Sequence, residues 1–427
     1  MKKILLLSVV ASTMIMAGGD IIPVEPVVET LTPEVTGNTS DWDLTGQAVI
    51  YYQTTDNWGK GGLFDQGPAG TDEGWAKAAA GVQLSAVNKN LIGGFGAGVE
   101  LSALSSLGLH HDLVSGLVQN AGGTMDGLTG GALTQAYFTY GAGNTSFKVG
   151  RQQLPKSLSP FAFSEGWNVF KNTFDAALLV NTDISNTTLV GAYVTRANNS
   201  LGNLNDFTRI QGGDGTAMIT LQNKSIEGLT LTASAYNVFD VAQKDDNAQA
   251  YWGDAKFKMS GYAFGLQGGI IGVDADGYED TSAFGAMMSG NIGRFGASLA
   301  YSTVDDGDLS IANIAGSGVK TPLYTQGVLN QNTIKRDSDT FKITGSVKGL
   351  GGKFIAAYIN SDLGKSALPS VFGTSKGGEG EYQEIEVMYK ASYGKHTKFF
   401  IAYINQNDDR QSDDSQNLIR IWTRYNF

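Results

Sequence analysis

The stretch Leu418-Ile419-Arg420-Ile421-Trp422-Thr423-Arg424-Tyr425-Asn426-Phe427 decides the fold, because its side chains alternate strictly along the chain. One face carries Ile419, Ile421, Thr423, Tyr425 and Phe427, and the other carries Arg420, Trp422, Arg424 and Asn426. Alternation with a period of two residues is the pattern of a β-strand. An apolar row facing lipid, with arginines facing water on the other side, indicates a strand of a membrane barrel. The alternative is the edge strand of a soluble β-domain.

The first residues have the features of an export signal. Met1-Lys2-Lys3 is basic, residues 4–16 are apolar apart from two serines and a threonine, and Ala17-Gly18-Gly19 offers small residues for cleavage. The apolar stretch is too short to cross a bilayer as a helix. We therefore predict a signal peptide over residues 1–17, a periplasmic segment over 18–41 and a barrel domain over 42–427.

Composition limits the class of protein further. No uncharged apolar run of about 18 residues follows Met16, so an exported chain of this kind is either water-soluble or a β-barrel. The absence of cysteine excludes disulfides and thiolate metal sites. The 57 glycines, 20 phenylalanines and 17 tyrosines suit a barrel with aromatic girdles. A net charge of −11 argues against nucleic acid and mildly favours attraction of cations.

Alternating segments recur along the rest of the chain, most clearly over residues 341–348, where odd positions are apolar or glycine and even positions are polar. The connections between segments alternate between short and long, which predicts short periplasmic turns and long extracellular loops. We predict an all-β, transmembrane, antiparallel up-and-down barrel, with an even strand count that lets the sheet close. The eighteen predicted strands lie near residues 43–54, 76–86, 94–102, 134–140, 145–152, 173–181, 187–196, 217–223, 229–239, 248–258, 262–272, 282–292, 295–303, 341–347, 353–360, 382–390, 398–405 and 417–427.

One predicted hairpin carries a more specific likeness. Ala136-Tyr137-Phe138-Thr139-Tyr140 and Phe147-Lys148-Val149-Gly150-Arg151-Gln152, followed by Asn172-Thr173-Phe174-Asp175, resemble a hairpin and the next strand of OprD-type porins. They look closer still to the major outer-membrane porins of Campylobacter and its relatives. The strong match covers about residues 135–196. The resemblance implies eighteen strands, a third loop folded into the lumen and a homotrimer. The final strand resembles the signal for barrel assembly, which would include Tyr425 and Phe427.

The predicted third loop, residues 153–172, is the candidate constriction. It contains Lys156, Glu165 and Lys171 together with four large aromatic residues, which suit packing against an inner wall better than an external position in water. The alternative is contact with neighbouring loops or subunits. Arg151 is ambiguous, because strict alternation from Phe147 and Val149 aims it at lipid. The charges predicted to line the lumen are Lys148, Arg151, Asp175, Arg196, Lys342, Glu384, Glu386, Lys390, Arg420 and Arg424.

Two groups of loop residues suggest other chemistry. Acidic residues suggest calcium candidates at Asp274, Asp276, Asp306 and Asp308, although Gly285 stands where an EF-hand loop has its glutamate. Solvated loop charge is the competing interpretation, and no other cofactor is expected. His110-His111-Asp112 would suit an outer-membrane hydrolase, but no Gly-x-Ser-x-Gly motif supplies a nucleophile.

The sequence therefore predicts a passive porin, not an enzyme, in the outer membrane of a Gram-negative bacterium. It would conduct ions and small hydrophilic solutes, with a lean toward cations. The alternatives are a non-conducting adhesin or structural barrel and, less favoured, a hydrolase. The expected partners are outer-membrane lipid, lipopolysaccharide, the barrel-assembly machinery and two further copies of the chain.

Overall fold

The structure is a computed structural model of the 427-residue chain. It describes residues 42–59, 61–65, 75–108, 114–122, 128–198, 202–210, 213–241, 246–313, 320–369, 377–412 and 414–427. The predicted signal peptide (1–17), the predicted periplasmic segment (18–41) and His110-His111 lie outside the described residues, so these interpretations stay predictions.

The described part of the chain forms an antiparallel barrel of 18 strands, as the alternation predicts. Two short segments, β4 and β9, belong to loops, and the remaining strands form the wall. In chain order the strands are β1 (Asp43–Thr55), β2 (Lys77–Ile92), β3 (Phe95–Ser105), β4 (Gly116–Leu117), β5 (Leu128–Ala142), β6 (Thr145–Gln152), β7 (Phe174–Asn181), β8 (Thr187–Asn198), β9 (Phe207–Arg209), β10 (Gly215–Asn223), β11 (Leu229–Phe239), β12 (Ala248–Met259), β13 (Tyr262–Val273), β14 (Thr281–Ile292), β15 (Phe295–Val304), β16 (Ser338–Gly349), β17 (Gly352–Leu363), β18 (Gly380–Tyr393), β19 (Thr397–Asp408) and β20 (Gln416–Asn426).

The first and last strands pair with each other and close the sheet. The register runs from Gln47 opposite Asn426 to Thr55 opposite Leu418. Backbone hydrogen bonds between Gly46 and Phe427 extend this pairing to the last residue, with N···O distances of 2.7 and 3.0 Å. Closure leaves no strand edge with unpaired backbone groups in hydrocarbon.

Each wall strand has an apolar outer row and a row that faces the interior. On β16, Phe341 and Ile343 are 43% and 45% exposed, whereas Lys342 and Thr344 between them are each only 2% exposed. The same alternation runs through the other wall strands and gives the barrel an apolar outer belt, the surface expected against lipid. No helix in the described residues is long and apolar enough to cross a bilayer.

The connections differ at the two rims of the barrel. At the periplasmic rim they are tight turns, such as Gly93-Gly94, where both residues have positive φ (57° and 86°), as a two-residue hairpin turn requires. These turns are residues 93–94, 143–144, 182–186, 224–228, 260–261, 293–294, 350–351 and 394–396. The extracellular loops are longer, and they are residues 56–76, 106–127, 153–173, 199–214, 240–247, 274–280, 305–337, 364–379 and 409–415.

The loss of stability caused by introducing a charged side chain on the outer surface should depend on whether the position faces hydrocarbon. Leu266 is 55% exposed in the middle of β13, and Leu350 is 86% exposed in a periplasmic turn. We expect Leu266→Arg to lower the free energy of unfolding by about 2–4 kcal/mol, because arginine at the bilayer midplane must leave water. The matched change Leu350→Arg should cost less than about 1 kcal/mol, since it lies outside hydrocarbon. Denaturant titration of the barrel in lipid vesicles measures both, and equal costs would contradict the orientation of the wall.

Candidate constriction site

The loop between β6 and β7, residues 153–173, turns into the barrel interior. Phe161 is fully buried, and its ring packs edge-on against Tyr236 of β11 and Trp252 of β12, with centroid distances of 5.5 and 5.3 Å. The backbone N–H of Phe161 also donates a hydrogen bond to the Tyr236 hydroxyl at 3.3 Å. Because Tyr236 and Trp252 lie on the inner faces of their strands, one end of the loop rests on this part of the inner wall.

The same loop also contacts the opposite side of the barrel. The Tyr51 hydroxyl of β1 donates to the carbonyl oxygen of Trp167 at 3.1 Å, and Nη2 of Arg424 on β20 donates to that of Asn168 at 2.9 Å. In the order of strand pairing, β11 and β12 stand half-way round the barrel from β1 and β20. The loop therefore crosses the lumen from wall to wall.

A second loop, residues 305–337, also folds inward over its described residues 311–313 and 320–334, which the alternation did not predict. Two carboxylates of β18 hold its backbone: Val328 N–H donates to Glu386 Oε1 at 2.6 Å and to Glu384 Oε1 at 3.0 Å, and Leu329 N–H donates to Glu384 Oε1 at 3.0 Å. From β16, Lys342 Nζ donates to the carbonyl oxygen of residue 326 at 2.7 Å. The loop is thus fixed to the wall by buried charged groups.

The two inward loops contact each other. Asn313 Nδ2 donates to the Phe163 carbonyl at 2.8 Å and to Glu165 Oε1 at 3.1 Å. Glu165 Oε1 also accepts from the backbone N–H of Lys320 at 3.2 Å, and Lys156 Nζ donates to the carbonyl oxygen of residue 321 at 3.0 Å. Lys156 and Glu165 of the predicted constriction loop therefore bind the second loop. Lys171, the third predicted charge, is half-buried near the end of its loop.

The arginines of the last strand lie against the loop that crosses the lumen. Arg420 donates from Nε and Nη2 to Gln53 Oε1 at 3.0 and 2.6 Å, and its guanidinium carbon is 5.3 Å from the Trp167 ring centroid. Arg424 donates from Nη1 to Gln47 Oε1 at 3.0 Å. Both arginines face inward, so β20 places two positive charges on this side of the interior.

Three of the predicted wall charges face the lumen but are covered. Lys342, Glu384 and Glu386 are at most 2% exposed, because residues 320–334 of the second loop pack over them. In this structure the three side chains hold the second loop by accepting hydrogen bonds from its backbone or donating them to it. Lys148 and Lys390 are half-exposed on inner faces, and Lys148 Nζ lies 3.7 Å from the Tyr137 ring centroid.

The prediction that Arg151, Asp175 and Arg196 line the lumen was wrong, because all three lie on the outer face. Arg151 continues the row of Val149, and Asp175 pairs with it, with Nε···Oδ1 at 2.9 Å. The inner row of β7 is instead apolar and packs with Phe161 and its loop neighbours. A bulge in β8 displaces Arg196. Asp175 of β7 is opposite Arg196, but Ala176, the next residue of β7, is opposite Val194. One extra residue moves a side chain to the other face of a sheet.

Three inward-facing charged residues were not predicted from the sequence, although the alternation along their strands places them on the inner face. Asp254 and Lys256 share a face of β12 with buried Trp252, and Glu100 is buried on the inner face of β3. Asp254 accepts a hydrogen bond from the Tyr324 hydroxyl of the second loop at 2.7 Å and lies 3.2 Å from Lys256 Nζ.

Burial shifts the pKa of two side chains in the second loop. Burial raises the pKa of the Tyr324 hydroxyl, and the Asp254 carboxylate raises it further, so this hydroxyl stays protonated and keeps donating. Burial lowers the pKa of Lys335, and the negative charge of Glu165 acts in the opposite direction.

The calcium candidates do not come together. In the part of the chain that the structure describes, no three acidic or histidine side chains converge on a possible ion. Asp308 Oδ2 instead accepts the backbone N–H of Glu279 at 2.8 Å, and Asp274, Asp276 and Asp306 are exposed. Calcium binding at these loops stays a prediction without a formed site.

Comparison with known proteins identifies the fold. No protein-family model matches the chain, and no curated protein matches it. Solved structures do: OpdO of Pseudomonas aeruginosa has 16% identity, a TM-score of 0.69 and coverage of 91% of this chain and 97% of that chain. OccK8 (OprE) of the same organism has 15% identity, a TM-score of 0.68 and coverage of 92% and 99%. OccAB3 of Acinetobacter baumannii has 15% identity, a TM-score of 0.68 and coverage of 91% and 100%.

The barrel has the fold of the OprD-type porins. The predicted resemblance and strand number are therefore confirmed at the level of the fold. The apolar outer belt of this fold is the surface that contacts membrane lipid.

The buried carboxylates give a direct test of how the second loop is held. A carboxylate that accepts a buried N–H contributes about 1.5–3 kcal/mol, so Glu384→Gln combined with Glu386→Gln should loosen residues 305–337. We expect trypsin to cleave the folded barrel after Lys335 or Arg336 about tenfold faster in this variant than in the native protein. Glu381→Gln is the matched control, because Glu381 is exposed at the rim of the same strand.

The cleavage rates of the three proteins are compared after gel mobility with and without heating has established that each barrel is folded. Equal cleavage in all three would mean that the carboxylates do not hold the loop.

Proposed function

We propose that the chain is a passive outer-membrane channel through which ions and small hydrophilic solutes diffuse. The observation that carries this proposal is a wide barrel with two loops folded into its lumen, residues 153–173 and the described residues of 305–337, each bonded to the inner wall. Wide barrels enclose an aqueous lumen, and inward loops reduce it to a passage of defined size. Loops that set the width of a channel must be fixed in place, and the buried charges of the wall fix the second loop.

The charges at the periplasmic mouth support a preference for anions. Lys348, Lys353 and Lys390 lie directly opposite one another on β16, β17 and β18, on the faces that point inward. Next to this row, Lys398 of β19 is opposite Arg424 of β20. Like charges across neighbouring strands repel, and a ring of one sign raises the local concentration of the opposite ion.

This row argues against the lean toward cations expected from the sequence. That expectation rested on net charge and on Asp-rich loops, which stand at the extracellular mouth and say little about the interior. We infer that small carboxylates and other anions pass more readily than cations. The similar structure of OpdK from Pseudomonas aeruginosa, with 14% identity, was solved with vanillate, which is a carboxylate.

Assembly partners are part of the same proposal. Tyr425 and Phe427 are 48% and 49% exposed on the outer face of β20, where a barrel-assembly machinery would reach them. A homotrimer and the lack of an enzymatic activity are carried over from the sequence as expectations.

Single-channel recording in a planar bilayer under a salt gradient tests the proposal. We expect stepwise conductance and a reversal potential with the sign of anion preference. Lys353→Gln combined with Lys390→Gln should move the anion-to-cation permeability ratio toward one, because it removes two of the three charges of the row. Lys395→Gln is the control, since Lys395 is an exposed lysine in the turn at the same rim and should change the ratio much less.

A folded barrel without conductance would contradict the channel and favour the structural or adhesin alternative. Conductance with cation preference would retain the channel and reject the role of the lysine row.

A further inference from the structure

A row of charged side chains crosses the outer face of the barrel at its extracellular rim. Arg151 of β6 is directly opposite Asp175 of β7, Asp175 is opposite Arg196 of β8, and Arg196 is opposite Arg209 of β9. The row lies where these strands meet the extracellular loops. On the outer face, this is the level of the headgroups of the outer leaflet.

The members of the row are not equally neutralised. Both carboxylate oxygens of Asp175 accept from Arg151, at 2.9 and 3.4 Å, and the Phe207 ring covers the Arg151 guanidinium, whose carbon is 3.3 Å from the ring centroid. Among the residues that the structure describes, Arg209 pairs only with Asp214, at 3.1 Å, and both side chains are more than 60% exposed, so this pair contributes little. Within the described residues Arg196 forms no ion pair, and it is exposed.

Asp214 pairs with Arg209 and Asp175 pairs with Arg151, which leaves Arg196 beside Arg209 as a net positive charge that a further anion would stabilise. Two arginines directly opposite each other in a sheet repel, and hydrocarbon just below them raises the cost of an uncompensated charge. A guanidinium binds a phosphate through two parallel hydrogen bonds, so two adjacent guanidinium groups match one phosphate group.

The outer surface on the membrane side of the charged row is apolar and suits the acyl chains of a lipid. Val149, Tyr193 and Ile219 are 53%, 41% and 52% exposed on the outer faces of β6, β8 and β10. They offer an apolar surface to acyl chains that hang from a headgroup held at the rim.

We propose that Arg196 and Arg209 bind a phosphate group of a phosphorylated lipid of the outer leaflet, with Asp175 and Arg151 fixing the position of the row. The site depends on the outer-membrane location of the barrel but not on conduction. Loss of lipid binding with unchanged conductance is therefore separable from any failure of the proposed channel.

Native mass spectrometry of the whole barrel in detergent, titrated with lipid A that carries both phosphates or with lipid A treated with phosphatase, tests this site. We expect the native protein to bind the phosphorylated form about tenfold more tightly, the scale of charge-assisted hydrogen bonds. Arg196→Ala combined with Arg209→Ala should abolish that preference. Arg196→Lys should retain part of it, since lysine keeps the charge but not the paired hydrogen bonds.

The control is Arg294→Ala, which removes an arginine from a turn at the opposite rim. Gel mobility with and without heating, and conductance, establish that each variant is a folded barrel. Equal binding of both lipid forms by the native protein would overturn the proposal, as would an unchanged preference in the double variant. So would a double variant that loses its oligomeric state while its lipid preference is unchanged, which would make the row a contact with a second copy of the chain.

Discussion

Closure of the sheet between β1 and β20 is the constraint on which the rest of the structure depends. Hydrocarbon offers no partner to backbone N–H and carbonyl groups, so a sheet in a membrane is stable only without open edges. Closure forces every wall strand to present one row of side chains to lipid and the other to the interior. The alternation that begins in the final residues of the chain is the direct consequence, and it fixes which charges can meet water.

A closed barrel of this width leaves an interior that its wall side chains cannot fill. Loops 153–173 and 305–337 occupy that space, and they use different physical means. The first packs Phe161 against aromatic residues on the inner faces of β11 and β12. The second offers backbone N–H groups to the carboxylates of Glu384 and Glu386. Buried carboxylates without such donors would be costly, so the charges of the wall and the path of the loop require each other.

The strands of the wall could be predicted from the sequence, but the path of the loops in the interior could not. Period-two patterns depend only on neighbouring residues, so the strands and the inward direction of Arg420 and Arg424 could be predicted. The path of residues 305–337 depends on contacts with β16 and β18, which no local pattern contains. Arg196 was assigned to the wrong face because a bulge breaks the period, and Asp175 because both rows of β7 are largely apolar. In that strand only the packing of the first loop decides which row is inside.

The most direct test of this account is the size limit for solutes that enter proteoliposomes, measured by swelling with a graded series of sugars. Gln152 and Phe174 are directly paired, so a short Gly-Ser turn can replace residues 153–173 and still join β6 to β7. If the two inward loops set the passage, the variant should admit larger sugars than the native protein. An unchanged size limit in a correctly folded variant would contradict the account, because the passage would then be set elsewhere in the barrel.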